Sequence, residues 1–274
     1  MRWRDQRQSD NIEDRRGMGG PAMIGGGGIG VVILALAIYM CGGDPSKLLQ
    51  NAPTGGEVPA PGTTSNRVVT QDENRQFVGA IMGNLEDTWK QILPQQARVQ
   101  FKAPKLVLFT KQISSSCGGA TAATGPFYCP GDYKLYLDFA FFDELRREFK
   151  APGDFAQAYV IAHEYGHHIQ NLRGTMDKVQ AAGTNNRLSV ALELQADCYA
   201  GVWANYAQKQ GRIEAGDVEE AIRAAGAVGD DTIQKKAQGY VVPDSFTHGS
   251  AQQRMQYFAI GFKSGDMKQC QTFR

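Results

Sequence analysis

The sequence predicts an α+β fold, mainly helical with a small β-sheet and preceded by one N-terminal transmembrane helix. Apolar residues recur at helical spacing over long stretches, among them residues 71–93 and 188–208. Two short runs, 105–110 and 134–138, are rich in Leu, Val, Phe and Tyr, which favours strands. Residues 17–43 carry no charge and include an apolar core, which is typical of a membrane-spanning helix.

The overall charge argues against a nucleic-acid partner. The 274 residues include 29 basic and 28 acidic side chains, for a net charge of +1. Such a balance creates no global positive field. No stretch combines a basic stripe with stacking aromatics either, so we expect no nucleic-acid binding.

The N-terminal region predicts the topology. Residues 1–16 contain five arginines and no periodic apolar face, so we expect a flexible basic tail. Residues 21–41 supply the roughly twenty residues that a membrane crossing needs. Because arginines precede this segment and none follow closely, the tail is predicted to be cytoplasmic and the remaining chain extracytoplasmic. The protein would then be a single-pass inner-membrane protein.

Three alternatives to this anchor remain open. The apolar core is short enough for a cleavable signal peptide. Cys41 could carry a lipid, although the bulky Tyr39 and Met40 precede it. A buried core helix is the third alternative, and the four glycines at 25–28 disfavour a helix in water.

Residues 44–66 are dominated by Pro, Gly, Ser and Thr and are predicted to be a flexible linker. A folded domain is expected from residue 67 to 274, which is long enough to bury a substantial core. Its first helix spans 71–93 and ends at Pro94. Residues 114–132 should form a loop, and a helix should begin at Phe141. The strand at 134–138 could present its backbone edge to an extended peptide, although an ordinary sheet strand would have the same sequence.

A His-Glu-x-x-His motif comprises His163, Glu164 and His167 in a helix that Asp154 could cap and Gly174 could end. Residues four apart share one face of a helix. Two imidazoles on one face can bind a zinc ion, one per chain, and Glu164 can act as a general base. A histidine pair without metal and a zinc site closed by structural ligands are the alternatives.

The helix at 188–208 supplies two further candidates, Glu193 and Asp197, again four residues apart and framed by apolar residues. A catalytic zinc usually has three protein ligands, so Glu193 would be the third. Asp197 could accept a hydrogen bond from His163 and orient it. A solvated acidic face is the alternative reading. Cys198 is a rival ligand, but it points about 100° away from Asp197.

The C-terminal region holds two more candidate site residues. His248 precedes a Ser250-x-x-Gln253 capping box, which predicts a last helix. The imidazole of His248 could stabilise the oxyanion formed when a carbonyl is attacked, or it could be an ordinary loop histidine. Arg254 could bind a carboxylate of Asp197 or of a substrate.

Four cysteines of the domain, Cys117, Cys129, Cys198 and Cys270, are candidates for disulfides in an oxidising compartment. Cys117 and Cys129 bracket a short loop, and the remaining pair could form a second bridge, but spacing does not settle the connectivity. Buried reduced thiols are the alternative.

Four motifs, HEYGHHIQ (163–170), ELQADCYAG (193–201), GDD (229–231) and FTHGSAQQR (246–254), resemble a bacterial family of neutral zinc metallopeptidases over nearly the whole chain. The resemblance extends to the wider group of zinc peptidases whose third ligand is glutamate. It implies a zincin-like domain with a small sheet packed on the active-site helix. It also implies His163, His167 and Glu193 as zinc ligands and Glu164 as the base.

The function predicted from these features is a membrane-anchored zinc metallopeptidase that hydrolyses a peptide or protein substrate outside the cytoplasm. A non-catalytic, zinc-stabilised envelope protein that binds other proteins is the alternative. A third possibility keeps hydrolysis but directs it to another amide, such as a cell-wall peptide crosslink.

Overall fold

The computed structural model describes residues 1–17, 65–183 and 185–273, and side chains within the second range from residue 73 onwards. These residues form a mainly helical α+β fold with a small mixed sheet, in agreement with the predicted class. The helices are α1 (Ser65–Ala97), α2 (Ala140–Arg147), α3 (Asp154–Leu172), α4 (Thr175–Ala181), α5 (Asn186–Lys209), α6 (Asp217–Ala227), α7 (Asp230–Gln238) and α8 (Ala251–Ser264). The strands are β1 (Ile12–Asp14), β2 (Lys105–Phe109), β3 (Gln112–Ser115), β4 (Gly118–Thr121), β5 (Phe127–Cys129) and β6 (Lys134–Asp138).

Helix α1 buries the stripe that its spacing predicts. Phe77, Ile81, Leu85 and Trp89 are all inaccessible or nearly so. The prediction that Pro94 ends the helix is wrong, because α1 continues to Ala97. The proline lies in the last turn, where the carbonyl it leaves unpaired belongs to an exposed residue and can bind water.

The main sheet has the strand order β1-β2-β6-β5, with β5 antiparallel to β6 and the other two pairs parallel. The strand predicted at 134–138, β6, is therefore interior and paired on both sides. Its edge cannot receive a peptide, so that prediction is wrong. The edge strand next to α3 is β5, which lies within the segment 114–132 that was predicted to be a loop. The same segment contributes to the hairpin β3–β4.

Residues 1–17 pack against the domain, so the prediction of a flexible tail over residues 1–16 is wrong. Met1 and Trp3 are buried in the main hydrophobic core. Strand β1 adds to the sheet beside β2, with Ile12 opposite Leu106. The sequence pattern did not predict that residues 1–17 pack against the domain, because polar and apolar residues alternate over only a few positions of this segment.

The predicted transmembrane segment lies almost entirely in residues 18–64, outside the described residues. Within the described ranges, no helix has both the length and the apolar character that a membrane crossing requires.

Both predicted disulfides are confirmed. Cys117–Cys129 joins the hairpin β3–β4 region to the edge strand β5, and Cys198–Cys270 joins α5 to the C-terminal segment. Disulfides persist in oxidising compartments, so the pair indicates an extracytoplasmic location.

Helices α5 and α8 approach each other closely through two glycines. A Cβ at Gly261 would lie 1.9 Å from the carbonyl oxygen of Cys198, and a Cβ at Gly201 would lie 2.1 Å from that of Phe258. Side chains at these positions would force the helices apart. This crossing brings Arg254, near the start of α8, to the face of α5 that carries Asp197.

Candidate metal centre

Helix α3 carries the His-Glu-x-x-His motif. Its start follows Gly153, whose φ of 120° is accessible to glycine but strained for other residues. His163 is buried, and His167, one turn later, is half-buried. Their rings meet edge-on with centroids 4.8 Å apart. The helical spacing thus places the two imidazoles side by side, as the sequence predicts.

The carboxylate of Glu193 on α5 faces both rings. Its Oε2 lies 3.1 Å from Nε2 of His163, and its Oε1 lies 3.3 Å from Nε2 of His167. The ligand atoms of the three residues all lie within 4.8 Å of one another, which is compact enough to hold a metal ion. Two helices separated in sequence therefore converge on one point.

Gly166 allows this convergence. A Cβ at this position would lie 2.9 Å from the carbonyl oxygen of Ala196 on α5. The helix backbones of α3 and α5 thus approach each other between the two histidines and the acid pair. A larger residue would move Glu193 away from His163 and His167.

The remaining ring nitrogens are held by hydrogen bonds. Nδ1 of His163 lies 2.8 Å from Oδ1 of Asp197, and Nδ1 of His167 lies 2.9 Å from Oε1 of Gln170. Since both acceptors occupy Nδ1, each Nε2 is directed to the Glu193 carboxylate. A carboxylate or amide oxygen behind a ligand histidine is the usual support of a zinc site. The residues present therefore fit zinc bound by His163, His167 and Glu193.

Asp197 is fully buried and lies at the centre of a polar cluster. It accepts hydrogen bonds from Tyr159 Oη at 2.5 Å and from Arg254 Nε at 2.8 Å, in addition to His163. Burial by itself raises the pKa of the Asp197 carboxyl, but the Arg254 guanidinium and the His163 imidazole together hold that pKa below its ordinary value. Asp197 is thus a charged and fully hydrogen-bonded support for His163.

The electrostatics of the ligand group favour positive charge at its centre. Burial lowers the pKa of His163, but the Asp197 and Glu193 carboxylates together raise it to about 10. Burial raises the pKa of Glu193, yet the two imidazoles bring it well below the ordinary value. Protons on Nε2 occupy the position that a cation would take, so metal binding should release them.

Glu164 lies half-buried beside this group. Burial raises the pKa of its carboxyl, and the charges of His167 and His163 oppose this only in part. A carboxylate with a raised pKa accepts a proton more readily at neutral pH, which suits a general base.

His248 is held by Asp230, the first residue of α7. Nδ1 of His248 lies 3.0 Å from Oδ1 of Asp230, and Oδ2 of the same carboxylate accepts the backbone N–H groups of Thr247, His248 and Gly249. Burial lowers the pKa of His248, but the hydrogen bond to Asp230 and the nearby Glu193 charge raise it above its ordinary value. Nε2 is then the ring atom left to contact a substrate.

Sequence reasoning missed three supporting residues. Tyr159 lies four residues before His163, and Gln170 lies three residues after His167, so helical spacing could have identified both as neighbours. Asp230 belongs to the GDD motif, but nothing in its sequence position indicates that it contacts His248. His168, next to a ligand, is fully buried and contacts Tyr128 Oη and the Lys102 carbonyl.

A second acidic group, formed by Asp154, Asp217 and Glu220, also has the spacing of a metal site. The Met1 amino group lies 2.9 Å from Asp154 Oδ1 and 3.3 Å from Asp217 Oδ1. The Met1 amino group therefore supplies the positive charge that these carboxylates would otherwise take from a metal ion.

Comparison with known proteins agrees with this geometry. The family profile described as "Putative neutral zinc metallopeptidase" matches residues 1–273. The chain is 45% identical over 288 residues to "Uncharacterized protein YpfJ" of Escherichia coli strain K12, covering 100% of this chain and 99% of that protein. It is 40% identical over 256 residues to "Uncharacterized protein Rv2575" of Mycobacterium tuberculosis strain H37Rv, covering 85% and 84% of the two chains. No solved structure matches. With a profile match of this length, the chain belongs to the neutral zinc metallopeptidase family.

Proposed function

We propose that this protein is a zinc-dependent peptidase that hydrolyses peptide bonds in an oxidising, extracytoplasmic compartment. The observation that carries the proposal is the convergence of both Nε2 atoms on the Glu193 carboxylate, with each Nδ1 already bonded. Purely structural zinc sites favour closed, cysteine-rich ligation and would not need Glu164.

Glu164 is the proposed general base. A zinc ion bound at this centre supplies Lewis acidity and increases the acidity of a water molecule. Glu164 accepts a proton from the attacking water and then delivers it to the amine nitrogen as the C–N bond breaks. Its half-buried carboxylate, with a raised pKa, suits both transfers.

His248 is the proposed oxyanion donor. With Nδ1 bonded to Asp230, Nε2–H is free to donate to the carbonyl oxygen as negative charge develops on it. The Asp230 carboxylate stabilises the protonated ring and fixes its orientation. His248 lies on a loop apart from α3 and α5, so it can approach a substrate from another side.

Strand β5 is the proposed guide for the substrate backbone. It is the edge strand that lies nearest α3, and Tyr128 Oη accepts a hydrogen bond from Asn171 of that helix at 2.8 Å. An extended peptide can pair with an edge strand through its own N–H and C=O groups. Backbone pairing does not depend on the side chains of the substrate. Strand β5 could therefore bind peptides of many sequences, including peptide crosslinks.

The test of the base is Glu164→Gln in the full chain. Zinc content should persist, because Glu164 is not a ligand, while turnover of a fluorogenic peptide falls by about 10²–10⁴-fold. Asp177→Asn, at an exposed acid on α4, is the matched control and should retain full activity.

Undiminished turnover in Glu164→Gln would refute the assignment of the base. A wild-type protein that binds zinc but cleaves neither casein nor crosslinked cell-wall peptides would favour the alternative, a zinc-stabilised binding protein.

A further inference from the structure

Residues 1–17 take no part in the proposed chemistry, yet they contact the sheet, helix α1 and, through the Met1 amino group, Asp154 and Asp217. Strand β1 extends the sheet, and the bonds on either side of it continue the pairing. The Asn11 carbonyl accepts the Leu106 N–H at 2.8 Å, and the Arg15 N–H donates to the Leu108 carbonyl at 2.8 Å. The segment thus covers the edge of β2 that would otherwise be open.

Helix α1 has a groove shaped for this segment. The Ser9 N–H donates to the Gly79 carbonyl at 2.9 Å, which requires close contact of two backbones. A Cβ at Gly83 would lie 2.4 Å from the Arg7 carbonyl oxygen. Two glycines one turn apart therefore leave room for the chain that lies on them.

A buried carboxylate beneath the segment receives its partners from it. Glu86 on α1 is only 7% exposed. It accepts hydrogen bonds from Ser9 Oγ, from Asn11 Nδ2 at 2.9 Å and from Arg7 Nη2 at 2.9 Å. A buried charge needs such partners, so Glu86 and the segment depend on each other.

The apolar and charged side chains of residues 1–17 also contact helix α1. Trp3 is 6% exposed and meets Phe77 of α1 edge-on with ring centroids 5.5 Å apart. Arg7 also pairs with Asp87 at 2.9 Å, and Arg4 pairs with Glu73 at 2.5 Å. These arginines contact the domain, whereas a cytoplasmic tail would hold them on the other side of a membrane.

We propose that residues 1–17 are a structural part of the metallopeptidase domain and lie in the same compartment as the zinc site. Both ends of the chain between residue 17 and residue 65 then lie on the same side of any membrane that this chain enters. This topology excludes a single crossing with a cytoplasmic N-terminus. It does not depend on whether the protein hydrolyses peptides.

The topology can be tested by cysteine labelling of the full chain in intact spheroplasts. The background carries Cys41→Ser, so the cysteines that remain are those of the two disulfides. One variant adds Asp10→Cys in the segment and another adds Lys263→Cys on α8, both at exposed positions. A membrane-impermeant maleimide is applied before and after lysis, and the Cys41→Ser protein alone sets the background.

Both cysteines should respond alike, either labelled in intact spheroplasts or labelled only after lysis. Labelling of one in intact spheroplasts and of the other only after lysis would place them on opposite sides and overturn the proposal.

A second measurement tests the docking itself on the purified full chain. Gly83→Ala would ordinarily raise Tm, because alanine favours a helix interior over glycine. With the segment in place, the new Cβ collides with the Arg7 carbonyl, so Tm should fall. A rise in Tm would mean that the segment lies elsewhere and would refute the proposal.

Discussion

Asp197 and Asp230 have matching roles at two histidines. Asp197 is buried, holds His163 and is itself held by Tyr159 and Arg254. Asp230 holds His248 and accepts hydrogen bonds from three backbone N–H groups. In each case a fixed carboxylate sets which ring nitrogen is free, so the orientation of both histidines follows from neighbours outside the His-Glu-x-x-His motif.

The Asp230–His248 pair predicts a pH dependence. Asp230→Asn removes the charge that raises the pKa of His248, and burial then lowers that pKa. Since the protonated ring is the better donor to an oxyanion, the alkaline limb of kcat should move to lower pH. A pH profile of kcat from about pH 5 to about pH 10 checks this. In a His248→Ala background, Asp230→Asn should produce no such shift, and a shift there would contradict the assignment.

The same pair predicts the sign of a stability change. The folded pKa of His248 is raised, so its contribution to the free energy of unfolding is fully present below about pH 6.5 and is lost as pH rises through the folded value. Urea unfolding of wild type and Asp230→Asn should therefore differ more near pH 6 than near pH 9. An equal difference at both pH values would contradict the pairing.

Among the elements, α8 is positioned by its close crossing with α5. Gly261 lies two turns after Arg254, so the crossing that needs this glycine also determines where Arg254 meets Asp197. Gly261→Ala places a Cβ against the Cys198 carbonyl, a backbone group that cannot rotate away. We expect a loss of about 1–3 kcal/mol in unfolding free energy, measured by urea denaturation, and reduced activity.

Gly226→Ala in α6 is the matched control for this crossing. The atoms nearest to its new Cβ would be those of the flexible Met255 side chain, with Sδ 3.1 Å away. Alanine should then be neutral or stabilising by up to about 1 kcal/mol through its helix propensity. Equal effects of the two substitutions would show that the α5–α8 crossing is not tightly packed.

At the scale of the whole molecule, the fold has supports other than the proposed zinc site. The core includes the large buried side chains of Trp89, Tyr199 and Trp203, and two disulfides restrain the chain. Removal of zinc with a chelator should abolish hydrolysis but preserve one cooperative unfolding transition. A ligand present at a thousand times its Kd contributes about 4 kcal/mol, which corresponds to a decrease in Tm of roughly 8–16 °C.

Circular dichroism and a thermal scan, before and after zinc is restored, measure this directly. Global unfolding on chelation would identify the zinc as structural and would favour the zinc-stabilised binding protein over the peptidase.

Local spacing was sufficient to predict which residues lie side by side within one helix. Residues four apart share a helix face in any context, so the placement of His163 beside His167, and of Glu193 beside Asp197, follows from the sequence. The buried stripe of α1 and the capping box of α8 are equally local. Cysteine spacing also suggested the two disulfides that the structure contains.

Tertiary structure alone decided the contacts between distant segments. The interior position of β6, the edge position of β5, the bond from His248 to Asp230 and the docking of residues 1–17 all depend on which surfaces meet. No periodic pattern encodes them, because a short strand or a polar segment has the same sequence signature whether it is paired or exposed. What the sequence determined by itself was which side chains share a face of each helix, since helical periodicity fixes neighbours within one helix. How the separate helices and the N-terminal segment come together was settled only by packing.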